Sequence, residues 1–180
     1  MNSTRLFVLA SLARHGPMHG HQIRRNAQLE RTELWTDIKP GSLYGALHRM
    51  ADEGLITPVK TEQEGRLPAR TVYEITQAGR EELGIHRDKA LRTTKLPHDP
   101  VDLALNFIED LSEDQVRAVL TDRRTAYAAQ VIEWQHLQER VDQYLTDRDR
   151  MGFRHQILRL QAEIAWHDEF LARLPGLLAD

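Results

Sequence analysis

From Phe153 to Leu178, eight positions alternate steps of four and three: Phe153, Ile157, Leu160, Ile164, His167, Leu171, Leu174 and Leu178. Seven of the eight are apolar, and that period is the seam of a coiled coil, which a helix has to bury. The end of the chain is therefore a long helix, packed either inside its own domain or against a second copy. His167 alone interrupts the seam. It is read as an interface histidine that sets register through a hydrogen bond; the sharper reading makes it a ligand or pH contact beside Trp166. The rest of the second half is also expected to be helical. One helix covers about Pro100–Asp110, and Ser112 with Gln115 forms a capping box for the next. That helix runs to about Tyr144, with Tyr127, Val131, Trp134, Leu137 and Val141 along one side.

The first half has shorter periods. Leu6, Leu9 and Leu12 recur at helical spacing until Gly16-Pro17 ends the run. A second helix spans about His19–Leu29, with Ile23 and Ala27 on one face. A third opens at Asp37-Ile38-Lys39-Pro40, where proline suits a first turn, and carries Leu43, Leu47 and Met50 inward until Gly54 closes it. Leu55–Thr61 and Arg70–Thr76 then alternate like half-buried strands, with Tyr73 and Ile75 on one face and Glu64-Gly65-Arg66-Leu67-Pro68 as the turn. Three short helices and a hairpin make a winged helix-turn-helix. The fold class is therefore mainly α: an N-terminal winged helix-turn-helix with a β-hairpin wing over 1–92, a linker over 93–100, and an all-helical domain over 101–180. Arg5 and the apolar run after it could pass for a weak leader, but a single charge followed by Gly16-Pro17 reads as a helix that stays.

Charge separates the same two parts. The 180 residues hold 24 Lys+Arg against 27 Asp+Glu, a net charge of −3 that taken as a whole argues against nucleic acid. Counted by part, residues 1–80 carry 11 basic and 8 acidic side chains, and residues 81–180 carry 13 and 19. The positive excess is confined to the winged-helix part. With no cysteine, disulfides, thiolate metal sites and cysteine nucleophiles are excluded. No apolar run approaches the roughly 18 residues of a membrane span.

Four motifs in order carry a resemblance: Gly16-Pro17-Met18-His19-Gly20, then Pro40-Gly41-Ser42-Leu43-Tyr44, then Glu53-Gly54-Leu55-Ile56, then the wing. The wing supplies Pro68, Arg70, Val72-Tyr73, Ile75-Thr76 and Ala78-Gly79-Arg80. Together they resemble the PadR-type transcriptional regulators. The second half is similar to the longer subgroup with an extended helical C-terminal domain, through Ala104-Leu105, Phe107 and Ala165-Trp166. The resemblance implies a homodimeric regulator, usually a repressor, that binds palindromic double-stranded operator DNA and lets go when a small molecule binds. Such a protein is cytoplasmic and nucleoid-associated. Three departures bear on the DNA contacts: Gly45 stands where the family often has proline, His21-Gln22 replaces an aromatic-acidic pair, and Thr71 replaces a frequent basic residue.

With Leu43, Leu47 and Met50 inward, the third helix leaves Ser42, Tyr44, His48 and Arg49 on its outer sides. Gly41 and Ser42 allow close approach to a duplex, where the helix N-terminus favours a phosphate. Tyr44 can donate to a phosphate oxygen, and Arg49 suits either a guanine edge or a phosphate. Lys39 lies where this helix opens, and Lys60, Arg66 and Arg70 bring charge to the wing. These eight are the expected DNA-binding residues. The seam residues Phe153, Ile157, Leu160, Ile164, His167, Leu171 and Leu174 are the expected dimerisation contacts. Trp134, Trp166 and His167 are candidates for a pocket that takes a small aromatic effector, which Trp35 could also line, although tryptophans at helical spacing are more often core.

No enzyme motif is present: neither a Walker loop, nor Gly-x-Ser-x-Gly, nor His-Glu-x-x-His. No cofactor is expected. His15, His19 and His21 cluster, and Glu163 with His167 is an i, i+4 pair, so a metal-responsive regulator is one alternative. But Gly16-Pro17 keeps His15 and His19 off one helix, and no metal site is assigned. The other alternative is a winged-helix scaffold that contacts proteins without operator DNA.

Overall fold

Asn2 starts the first helix by accepting the Arg5 N–H at 3.1 Å, and α1 (Ser3–His15) runs until Gly16 turns the chain at φ 79°. Then come β1 (Met18–His19), α2 (Gly20–Leu29), α3 (Ser42–Asp52), β2 (Ile56–Glu62), β3 (Arg70–Ile75) and α4 (Gln77–Arg92). These belong to the first of two compact units, residues 1–95 and 96–180, of a computed structural model that describes residues 2–32, 36–39, 41–63 and 68–177. Trp35, Pro40, Arg66 and Leu178 lie outside the described residues.

The core of the first unit follows from the apolar spacing of each helix. Leu9 and Leu12 of α1, Ile23 of α2, and Leu43, Leu47 and Met50 of α3 are fully buried with Ile56 and Ile75. At the end of α3, Gly54 (φ 74°) donates to Ala51 O at 3.0 Å, and Leu55 donates to Met50 O at 2.9 Å. That pair of bonds is the glycine-terminated helix end expected from the sequence. Thr76 caps α4 by accepting the Gly79 N–H at 3.1 Å, and its backbone N–H donates to Leu55 O at 3.0 Å. Gly79 lies so close to this junction that a Cβ there would overlap the Leu55 carbonyl oxygen and come within 2.8 Å of Ile75 Cγ1. Arg5 ties three helices together, pairing with Glu53 after α3 and, at 3.2 Å, with Glu82 of α4.

Two expectations here change. The third helix begins at Ser42, not at Asp37: Ile38 is buried ahead of it, and Ser42 closes a turn onto Lys39 O. The hairpin is also part of a three-stranded sheet in the order β1-β3-β2. Met18 pairs with Tyr73 and His19 with Val72, a two-residue strand too short for periodicity to reveal. On the other edge β2 pairs with β3 from Ile56↔Ile75 to Glu62↔Arg70, with an irregularity between Pro58 and Lys60 where proline costs the ladder nothing.

The second unit is built on an antiparallel helix pair. α5 (Pro100–Ala104) continues only as a 3₁₀ turn over Leu105–Phe107, so the single helix expected to Asp110 breaks early. α6 (Glu113–Val141) starts at the Ser112–Gln115 capping box, and a 3₁₀ turn over Asp142–Tyr144 leads to α7 (Asp147–Leu177). Arg124 pairs with Asp168 at 2.8 Å, the Tyr127 ring meets His167, and the Trp134 ring meets Phe153, a sequence of contacts that fixes the antiparallel order.

The heptad seam faces α6 of the same chain. Ile157, His167 and Leu174 are buried there, while Phe153, Leu160, Ile164 and Leu171 are half-buried. Leu174 and Leu171 pack on Val116 and Leu120 with Val101 and Ile108. Assignment of Ile157, His167 and Leu174 to a dimer interface is therefore corrected: α6 already covers them. The seven-residue pattern could not distinguish a helix of the same chain from one of a second copy, because both demand the same stripe.

Near its end α7 contains Pro175, which has no N–H to give the carbonyl of Leu171 four residues earlier. Arg117 of α6 supplies the missing donor, its guanidinium 3.3 Å from Leu171 O, while also pairing with Glu113 at 2.6 Å. Arg117→Ala is expected to weaken the second unit by about 1–2 kcal/mol, as loss of a charged donor does. In a Pro175→Ala background the loss should shrink, because the restored N–H satisfies the same carbonyl; equal losses in both backgrounds by chemical denaturation would refute the pairing.

Candidate nucleic-acid interface

β1 positions the site. His19 ends that strand and caps α2: its Nδ1 accepts the Gln22 N–H at 3.1 Å, and Gln22 Oε1 accepts the His19 N–H at 2.9 Å. The next residue, Gly20, is buried against α3. A Cβ on it would come 2.7 Å from Tyr44 Cε1 and 3.0 Å from Leu47 Cδ1, so its lack of a side chain sets how closely α2 and the Tyr44 ring approach. Pairing of β1 with β3 brings the wing to the same place.

The result is a cleft of about 440 Å³ between the start of α2, the outer face of α3 and β3. Tyr44 and His48 enter it from α3, Arg70 and Tyr73 from β3, and His19 and His21 from the start of α2. The His19 and His21 rings are 6.0 Å apart. Burial, reinforced by the Arg70 charge, holds the His19 imidazole below its ordinary pKa.

Of the eight residues expected to meet DNA, the structure brings Tyr44, His48 and Arg70 together at this cleft. Arg49 is exposed on α3, its guanidinium 3.4 Å from where a Cβ on Gly45 would be. Ser42 is exposed but engaged, donating to Lys39 O at 2.7 Å and lying 3.3 Å from the Thr4 hydroxyl; Lys39 itself is exposed ahead of the helix. Lys60 does not line the cleft and is paired with Glu62 at 2.6 Å. Arg66 lies outside the described residues. Sequence reasoning did not place His21 at this cleft; it was noted as a departure from a motif and as one of a cluster of histidines. Its position two residues after a capping histidine was the available signal.

The His19 cap carries a pH prediction. An imidazole can accept through Nδ1 only while that nitrogen is unprotonated, and the folded pKa is lowered from 6.5, so the unfolded chain binds the proton more readily. The cap's contribution is therefore complete above that value and is lost as pH falls through it toward the lower folded value. His19→Asn, which keeps a capping oxygen without a titrating group, should flatten this part of the profile. Denaturant melts of both proteins between about pH 5 and pH 7.5 test it, and an unchanged acid slope in the variant would refute the assignment.

The trio expected to form an effector pocket is not assembled. His167 is fully buried, its Nδ1 2.8 Å from Glu163 O, with ring centroids 4.7 Å from Trp166 and 5.4 Å from Tyr127. The carbonyl can only accept, so Nδ1 is the donor, and Nε2 has no partner among the described residues. Tyr127 joins this group to Asp99 and Arg123 through its hydroxyl, at 3.3 and 3.0 Å. Trp134, however, is seven residues beyond Tyr127 on α6, about 10 Å along the helix, stacked edge-on against Phe153. Trp134 is core, and only Trp166 and His167 are neighbours. No group of three or more His, Asp or Glu among the described residues is placed to hold a metal ion, and no helix among them is long and apolar enough to cross a membrane.

A three-helix core, a two-stranded wing and an exposed third helix define a winged helix-turn-helix of the DNA-binding class. Comparison with known families points the same way: residues 8–85 match the model of the transcriptional regulator PadR-like family. An uncharacterized 37.1 kDa protein in transposon TN4556 of Streptomyces fradiae is 40% identical over 80 residues, which are 44% of this chain and 21% of that protein. The chain thus spans about a fifth of that relative. Among solved structures, Bacillus subtilis PadR in complex with operator DNA has a TM-score of 0.76 at 23% identity, covering 97% of this chain and 98% of that one. The same protein in complex with p-coumaric acid also has a TM-score of 0.76, at 21% identity, covering 97% and 99%. The likeness extends the fold of PadR-type transcriptional regulators over nearly the whole chain.

Proposed function

We propose that this protein is a sequence-specific DNA-binding repressor that acts as a homodimer on a palindromic operator and is released by a small molecule. The arrangement of Tyr44, His48 and Arg70 around one cleft carries the proposal, since it puts the reading helix and the wing on a single face. In a dimer the two α3 helices would enter successive major grooves about 34 Å apart. The same fold in complex with operator DNA supports this reading.

Arg70→Ala and Tyr44→Phe are expected to weaken binding to the operator in the adjacent intergenic DNA by about tenfold or more each, without altering oligomeric state. Mobility shifts across a salt series measure this. Unchanged affinity in both variants, or no specific fragment recovered from genomic DNA, would overturn the proposal.

Support for the dimer comes from apolar side chains that the second unit leaves exposed. Leu103 and Phe107 follow the linker, and Met151 and Leu158 lie seven residues apart along one outer face of α7. The seam residues Phe153, Leu160, Ile164 and Leu171, half-covered by α6, can contribute only their outer edges. For release, the buried group around His167 and Trp166 is the proposed effector contact, because Nε2 lacks a partner among the described residues that a ligand hydroxyl would supply. The complex of the same fold with p-coumaric acid is in keeping with a small aromatic ligand.

A further inference from the structure

The cleft between α3 and the wing is unusual in its chemistry. Its described lining contains three imidazoles, one guanidinium and two phenols, and no carboxylate. His21 and His48 are exposed and have neither a hydrogen bond nor an ion pair among the described residues, while His19 is committed to capping α2. Glu62, opposite Arg70 on the neighbouring strand, pairs with Lys60 at 2.6 Å, and its charge also reaches His19. Imidazole is the side chain that normally changes charge between pH 5 and 8. An anion between His21, His48 and Arg70 would favour the protonated rings, because opposite charge at short range stabilises the charged form.

We infer that this cleft seats one backbone phosphate of DNA between His21, His48 and Arg70, and that the two exposed imidazoles take up protons from solvent as it does so. This deepens the DNA-binding reading and rests on it. Arg70 is the fixed charge of the site, Tyr44 and Tyr73 are hydroxyl donors at its edge, and His21 and His48 make its affinity depend on pH. His19 is set apart from the uptake, since its Nδ1 already accepts the Gln22 N–H and burial lowers its pKa. The site separates DNA contact from base reading: it strengthens attachment to any sequence and leaves discrimination to the rest of α3.

The test measures operator affinity of the full-length protein by fluorescence anisotropy from about pH 6 to about pH 8, beside His21→Gln and His48→Gln. The wild type should bind about three- to tenfold more weakly at the upper end, and each substitution should reduce that ratio. A matched random duplex should show the same pH ratio as the operator. Thermal melts of the variants confirm that both remain folded, as their exposed positions allow. Specific binding that does not vary with pH, or a pH dependence that survives in both variants, would overturn the inference while leaving the regulator reading intact. Absence of specific binding at every pH would overturn that reading instead. In a parallel arm, the imidazole resonances of His21 and His48 should shift with duplex and not with millimolar inorganic phosphate. An equal shift with phosphate alone would make the cleft a free-anion site and refute the DNA assignment.

Discussion

Gly79→Ala is expected to cost the N-terminal unit about 3 kcal/mol or more, enough to leave much of it unfolded at ordinary temperature. The added carbon would overlap the Leu55 carbonyl oxygen and press on Ile75 Cγ1. Neither neighbour can yield cheaply. The Leu55 carbonyl already accepts from the Thr76 backbone N–H and lies 3.0 Å from the Thr76 hydroxyl, and Leu55 donates to Met50 at the end of α3. A shift of that oxygen would disturb the helix end, the cap of α4 and the first pairing of the sheet together. Circular dichroism and a denaturant midpoint on the variant measure the loss, with Gly84→Ala as the control, because a Cβ there meets nothing within 4 Å. A Gly79→Ala protein as stable as the wild type would show that the junction can relax.

Leu174→Ala should have a comparable effect on the other unit. Leu174 is fully buried against Val116 and Leu120, and this small cluster, with Val101, Ile108, Phe170 and Leu171 around it, holds the ends of α6 and α7 together. Truncating a buried leucine costs about 2–5 kcal/mol, the upper end where the site cannot collapse. The change should lower the unfolding midpoint of the C-terminal unit before any change in oligomeric state at saturating concentration. The paired substitution Met151→Glu with Leu158→Glu should do the reverse, separating the proposed dimer while helix content is retained. Light scattering and circular dichroism on both proteins discriminate between the two roles. If Leu174→Ala yielded a folded monomer, the seam would be an interface between copies after all.

The fates of these residues show what the sequence could convey. Leu43, Leu47 and Met50 repeat at helical spacing on a helix buried on one side, so their inward face was legible without knowing what covered it. Gly54 and the Ser112–Gln115 box were equally legible, because a helix end is satisfied locally by residues a few positions apart. The destination of the Phe153–Leu178 stripe was not. Burying it on α6 and burying it on another copy select the same residues. β1 was hidden for a different reason: two residues give no period, and the strand exists only because β3 offers an open edge. At the DNA face, the side chains of α3 were readable from one helix, whereas His21 gains its place only when β1 and β3 pair. Trp134 and Trp166 looked like partners by type, and helix length alone keeps them apart.

That short pairing governs more than the outline of the sheet. Because Met18 and His19 are bonded to Tyr73 and Val72, the root of the wing is joined to the residue that starts α2, and α2 is packed through Gly20 on Tyr44 of α3. A hinge at the base of the hairpin would have to break the ladder and the capping interaction together. The gap across the cleft is therefore a calliper set when the chain folds. Described pairing in the hairpin runs out to Glu62 and Arg70, so the ladder reaches from the root of the wing to that rung. In the DNA complex proposed above the duplex would then be the adjustable member, with sequences whose groove already matches the opening favoured before any base is touched.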